Sequence, residues 1–170
     1  TLPMEMPDRF QRLLIMNTTL GTGDAEPTQG FLDWRAWVES RPDLSPARLM
    51  SFTCPHLSEA ELAAYDAPFP NITYKAGVRR FPAIVPDRPD APGAEISRKA
   101  REWLKTEWQG ETFMAVGTQD PVLGPPVMHA LRKNIRNAPD LFEHHEAGHF
   151  VQEWGEEIAR KALDAFSSGC

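Results

Sequence analysis

Apolar positions along this chain follow two rhythms. Arg12-Leu13-Leu14-Ile15-Met16-Asn17-Thr18 is an unbroken apolar run with polar ends, and Thr112-Phe113-Met114-Ala115-Val116-Gly117 repeats the form far downstream. Runs of this length without alternation suit strands covered on both faces, the habit of parallel sheets. A shorter run over Leu141–His144 predicts a third strand. Elsewhere the spacing turns helical. Ile96, Ala100, Trp103 and Leu104 share one face of a helix over Ala94–Trp108, which Gly110 closes. Phe150, Val151, Trp154, Ile158, Ala162, Leu163 and Phe166 keep a helical period towards the C-terminus, and Thr1–Met6 reads as the end of a helix.

From Gly30 to about Arg88 no strand pattern occurs. Phe31, Trp34 and Val38 lie on one helix face, and Ser45-Pro46 and Ser58-Glu59-Ala60-Glu61 are helix starts, the second with the form of a capping box. Pro68, Pro70, Pro82, Pro86, Pro89 and Pro92 are expected to break the remainder into short elements. The order strand, helical insertion, helix, strand, helix, strand, helix predicts an α/β domain. Residues 1–20 form a core strand and the preceding helix end, 21–93 an all-helical cap insertion, and 94–170 the rest of the core.

Composition narrows the classes. Hydrophobic content of 41% and charged content of 25% are ordinary for a soluble globular domain. A formal net charge of −6 argues against nucleic acid and anionic membrane as partners, since both favour a basic face. No run approaches the roughly 18–20 apolar residues that span a bilayer. Cys54 and Cys170 do not make a disulfide framework, so a reducing compartment, the cytoplasm, is expected.

Two residues carry candidate chemistry because of where the strands place them. In a parallel sheet the carboxyl ends of neighbouring strands share one edge, where ligands bind. Asp120, in Gly117-Thr118-Gln119-Asp120-Pro121, follows one strand; His149, in Ala147-Gly148-His149-Phe150, follows the next. An aspartate before proline is commonly a turn former, and a single histidine is more often a surface or capping residue. Paired at one edge, they match a general base whose tautomer and charged form a carboxylate steadies. No nucleophile accompanies them. Asn17, ending the first strand, is either a polar contact or a strand cap. Trp34, beside Phe31 and Trp37, fits a core-facing stripe, although an indole N–H can also hold an anion in an apolar pocket.

His145-Glu146-Ala147-Gly148-His149 also matches H-E-x-x-H, the zinc-protease signature, which needs a helix running through it. Extending the last helix backwards would bury Asp140, Glu143 and His144 largely unpaired, which is costly. A strand ending in a glycine loop fits better and sends the two histidines in different directions. A third ligand would have to be Asp164 or Glu157, neither marked by context, so no metal is expected.

Thr1-Leu2-Pro3-Met4, Arg12–Thr18, Phe31-Leu32-Asp33-Trp34, Ala67-Pro68-Phe69-Pro70, Ala76–Pro82, Phe113–Gly117, Leu123-Gly124-Pro125 and Ala147–Glu153, in this order and spacing, together resemble a haloalkane dehalogenase. The likeness is to the branch whose triad acid follows the next-to-last strand, where Asp120 stands; the other branch carries it after the earlier strand, where this chain has Asn17-Thr18. The resemblance implies the C-terminal half of an α/β-hydrolase sheet, about three parallel strands with helices, plus an inserted all-helical cap. It implies attack by an aspartate carboxylate on the halogen-bearing carbon, loss of halide, and hydrolysis of the alkyl ester by a water that His149 activates. Asp120 matches the orienting acid and Trp34 the cap tryptophan that holds the departing halide.

Phe31, Phe81, Pro82, Val85, Val122, Leu123 and Phe150 match the apolar wall of a small dry pocket. The implied partners are a small halogenated alkane and a halide ion, with no metal or organic cofactor. The nucleophile, a second halide-holding tryptophan and the oxyanion-hole residues belong to the family's N-terminal half. Thr1 matches a position shortly beyond the nucleophile, and Asp8, Asp24 and Asp33 are wrongly placed to substitute. The chain is therefore expected to need that missing half and to be inactive alone. Epoxide opening by a related α/β-hydrolase is the alternative; it would use cap tyrosines such as Tyr65 or Tyr74, whereas Trp34 favours halide. A non-catalytic fragment whose helices bind a partner is the plainest alternative.

Overall fold

The three apolar runs form one parallel sheet. The computed structural model describes residues 1–167, so Cys170 lies outside the described residues. Strand β1 is Arg12–Met16, β2 is Glu111–Gly117 and β3 is Phe142–His144, in the order β1-β2-β3. Leu14 pairs with Phe113 and Met16 with Ala115 on one side of β2; Ala115 pairs with Phe142 and Gly117 with His144 on the other. In chain order the helices are α1 (Leu2–Glu5), α2 (Gln29–Glu39), α3 (Pro46–Thr53), α4 (Glu59–Asp66), α5 (Ala76–Ile84), α6 (Ala94–Thr106), α7 (Pro125–Arg132) and α8 (Gly155–Ser167). No helix among the described residues is long and apolar enough to cross a membrane.

Strand β2 is buried on both faces, as its unbroken apolar run requires. Met114 and Val116 pack with Trp108, Met128, Leu131 and Ile135 on one side. Ala115 packs with Ala147, Val151 and Ile158 on the other. Fully burying a methionine or valine side chain contributes about 1.5–3 kcal/mol, so β2 is the best-anchored strand. The buried Trp108 ring keeps its polar end satisfied, its Nε1–H donating to Thr112 Oγ1 at 2.9 Å.

The chain divides into two compact units, Thr1–Glu26 with the chain from Pro86 on, and Pro27–Val85. The second is all-helical and is inserted in sequence between β1 and β2. Within it Val38, Leu44, Met50 and Cys54 are buried. Ser58 and Glu61 complete the capping box of α4. Asp66, at the end of α4, accepts from Ser45 Oγ at 2.8 Å and from the Ala47 N–H at 2.9 Å, fastening the start of α3. Buried Lys75 is neutralised by Asp43 at 2.6 Å.

The structure departs from the sequence reading in three places. Pro82 does not break the chain but sits inside α5, buried. Only two residues of helix follow it, so the missing N–H costs a bond in the last turn, where helices fray. The C-terminal helix does not start at Phe150: Val151–Trp154 is a 3₁₀ turn, and α8 begins at Gly155. Leu163 and Ile96, read as inward-facing, are exposed.

Candidate active site

The carboxyl ends of all three strands meet at one rim, and a buried amide ties them together. Asn17 follows β1 directly, with φ 29°, a backbone conformation seldom taken by a residue with a side chain. Its Oδ1 accepts from the Gly117 N–H at the end of β2 at 2.8 Å. Its Nδ2 donates to Asp120 Oδ2 at 2.7 Å and to the Gly148 carbonyl, beyond β3, at 3.3 Å.

The loops after β2 and β3 are sewn to each other. Thr118 N–H donates to His144 O at 3.1 Å and Gln119 N–H to Ala147 O at 3.0 Å. The Gln119 side-chain amide reaches His145 O at 2.8 Å. Gly117 is required by this closeness, since a Cβ there would lie 2.4 Å from Gly148 O and 2.5 Å from Ala147 O. Gly117→Ala is expected to lower the chain's stability by about 2–3 kcal/mol, read as an earlier midpoint in urea unfolding; an unchanged midpoint would mean that the loops have slack.

Asp120 and His149, 29 positions apart, are joined at this rim. His149 Nδ1 lies 2.8 Å from Asp120 Oδ2. The Asp120 side chain is fully buried, while that of His149 remains 34% exposed. Asp120 Oδ1 accepts from the Val122 N–H at 2.7 Å, the turn that its place before Pro121 favours. Burial pushes the Asp120 carboxyl up, but the His149 ring, the Val122 N–H and the Asn17 amide together hold it below its ordinary value. An ionised Asp120 can only accept, so Nδ1 carries the proton and Nε2 is left as the basic nitrogen. The pair is thus built to take a proton at Nε2 and to steady the resulting imidazolium. The Phe150 ring stands edge-on to His149 at 5.2 Å.

Val122, Leu123 and Phe150 are half-buried near these residues in the chain. Phe31, Trp34, Phe81, Pro82 and Val85 belong to the helical unit. There Phe31 and Trp34 are in ring contact at 5.8 Å on α2, whose start is capped by Thr28. Pro82 is buried, Val85 half-buried and Phe81 exposed.

Over 145–149 the structure has the strand-and-glycine-loop form rather than the helix that the zinc-protease alternative needs. The segment follows β3 as a turn and loop, not a helix, so the two histidines do not share a helix face. His145 is exposed, and His149 is engaged by Asp120 through Nδ1. Among the described residues no three His, Cys, Asp or Glu side chains are grouped to hold a metal ion. What sequence reasoning left open was Asn17. Its only local signal was a polar residue ending a buried strand, and its partners lie 100, 103 and 131 positions away.

No protein-family profile matches the chain. A haloalkane dehalogenase of Mycolicibacterium paratuberculosis is 38% identical over 165 residues, 94% of this chain and 53% of that protein. One from Psychrobacter cryohalolentis is 35% identical over 164 residues, again 94% of this chain and 53% of the relative. Among solved structures, the haloalkane dehalogenase DpaA from Paraglaciecola agarilytica NO2, described as tetrameric, superposes with a TM-score of 0.91 at 40% identity, covering 96% of this chain and 55% of its own. The dehalogenase DbeA from Bradyrhizobium elkani, at 18% identity and a TM-score of 0.70, shares the fold. With three parallel strands and an inserted helical unit, the chain is similar over nearly its whole length to haloalkane dehalogenases and spans about half the length of the relatives that it matches.

Proposed function

We propose that this chain supplies the acid–base part of an enzyme that hydrolyses small haloalkanes to an alcohol and halide. A carboxylate displaces halide from carbon to give an alkyl ester, and the halide leaves with the bonding electron pair. His149 Nε2 then takes a proton from water, the hydroxide adds to the ester carbonyl, and the adduct collapses to expel an alkoxide. The alkoxide takes the proton back from His149 to leave as alcohol, while the acid formed loses one proton to solvent and is again a carboxylate. Asp120 holds the imidazole in the tautomer that leaves Nε2 basic and balances the imidazolium formed. Trp34 donates its indole N–H to the departing halide, a charge that develops only as the bond breaks. Phe31, Phe81, Pro82, Val85, Val122, Leu123 and Phe150 supply apolar surface for an alkyl chain. The nucleophile comes from outside these 170 residues, in the N-terminal portion of the family that this chain does not match. With two cysteines in the sequence, a cytoplasmic setting fits.

The observation that carries this reading is the 2.8 Å contact of His149 Nδ1 with the fully buried Asp120 carboxylate. A chimera joining the unmatched N-terminal portion of the Paraglaciecola enzyme to this chain tests it. The chimera is expected to release halide continuously from a short dihaloalkane, to leave a simple epoxide intact, and to work without added metal. The 170-residue chain by itself is expected to release none. Turnover by the isolated chain, or a folded chimera that opens the epoxide and spares the haloalkane, overturns the proposal.

A further inference from the structure

The chain leaves the sheet-bearing unit for the helical unit through residues 20–26 and returns through 86–93. Joined ends of this kind are ordinarily two independent loops, each free to move by itself. Here they lie against each other in register. A Cβ on Gly21 would come within 2.8 Å of the Pro86 ring, and one on Gly23 within 2.1 Å of the Arg88 carbonyl oxygen. Gly23 also takes φ +70°, a conformation open to glycine and strained for other residues. At Gly23 the two backbones therefore touch without an intervening side chain.

Two arginines of α6 fasten this contact. A single nitrogen of Arg98, Nη1, donates to Thr22 O at 2.7 Å and to Pro89 O at 3.0 Å, one carbonyl from each linker. One turn on, Arg101 binds Asp24 through both terminal nitrogens, at 3.1 and 2.7 Å. A paired guanidinium fork of this kind fixes orientation as well as distance. The Thr22 hydroxyl donates to the same carboxylate. Each linker also carries its own tight turn: Thr22 N–H to Leu20 O at 2.9 Å, and Ala91 N–H to Arg88 O at 3.0 Å.

We propose that residues 20–26 and 86–93 form one latched stem, closed by Gly23, Arg98 and the Asp24–Arg101 pair, which opens and closes as a unit. The stem is independent of the dehalogenase reading, since every contact named lies in the sheet-bearing unit and none of them involves His149 or Asp120. The Arg101 guanidinium, helped by the Thr22 hydroxyl, holds the Asp24 carboxyl down at about 2, so the latch keeps its charge at neutral and mildly acidic pH.

Hydrogen exchange on the 170-residue chain tests the stem. In Arg98→Ala, the amides of Thr22 and Ala91 are expected to exchange at least tenfold faster together, while those of β2 keep their protection. Faster exchange in one linker alone, or in neither, overturns the proposal. Should Arg98→Ala lose cooperative folding, Asp24→Asn gives the same reading from the exposed side of the latch. Joint loosening of 20–26 and 86–93 supports the stem, and loosening confined to 20–26, or no change, refutes it. A stability cycle adds a second measure: the costs of Gly23→Ala and Arg98→Ala are expected to be less than additive, and strict additivity would show two separate loops.

Discussion

With His149 replaced by glutamine, the chimera releases one equivalent of halide and then stops. Glutamine keeps a side chain of similar reach but has no basic nitrogen. The first step, displacement of halide by a carboxylate, does not need a base; the second, attack of water on the ester, does. Turnover is therefore expected to fall by about 10²–10⁴ or more, the usual contribution of a positioned base. The burst should remain, and mass spectrometry should find the enzyme heavier by one alkyl group. The modified peptide is expected outside the 170 residues of this chain. Steady turnover by His149→Gln, or alkylation of Asp120 itself, would remove the histidine from the role given to it.

Asn17→Leu is expected to be the most damaging single change to stability. Leucine fills the space but leaves the Gly117 N–H without its acceptor and takes one donor from the buried Asp120 carboxylate. A buried group stranded in this way costs about 1–3 kcal/mol, and a charged one more, and φ 29° is less tolerant of leucine than of asparagine. A loss of about 3–5 kcal/mol in urea unfolding follows. The variant should also be more sensitive to acid. Asp120 has its folded-state carboxyl below the ordinary value, so its stabilisation is full above that value and is lost as pH falls through the folded one. Burial opposes ionisation there, and the His149 ring, the Val122 N–H and the Asn17 amide favour it. Without the amide the carboxyl protonates at a higher pH, and acid unfolding should begin earlier than in the parent chain. A stability loss below about 1 kcal/mol, with unchanged acid behaviour, would show Asn17 to be dispensable.

The Asp120–His149 contact was legible because its signal is topological. Apolar runs over 12–18 and 112–117 without alternation mean parallel strands, and parallel strands bring the loops after them to one edge whatever lies between. Asn17 was not legible for the opposite reason. An asparagine closing a strand has many fates, and what selects among them here is the Gly117 N–H and two groups still further along the chain. The junction after His149 failed differently. Over four residues a 3₁₀ turn and an α-helix space their apolar contacts almost alike, so Val151 and Trp154 fit either, and the change at Gly155 leaves no mark in the pattern. Pro82 misled because breaking power was assigned to the residue type, whereas what a proline removes is one bond to the preceding turn, a loss that a buried helix end can bear.

Strand β3 meets β2 over three positions, and β1 meets it over five. Local opening takes the least-anchored segment first. The imidazole thus hangs from the part of the sheet that frays soonest, while the carboxylate and the amide beneath it stand on the part that melts last. On warming, amide protection in β3 is expected to fall before that in β2, with the cross-loop bonds of Thr118 and Gln119 setting how far apart the two losses lie.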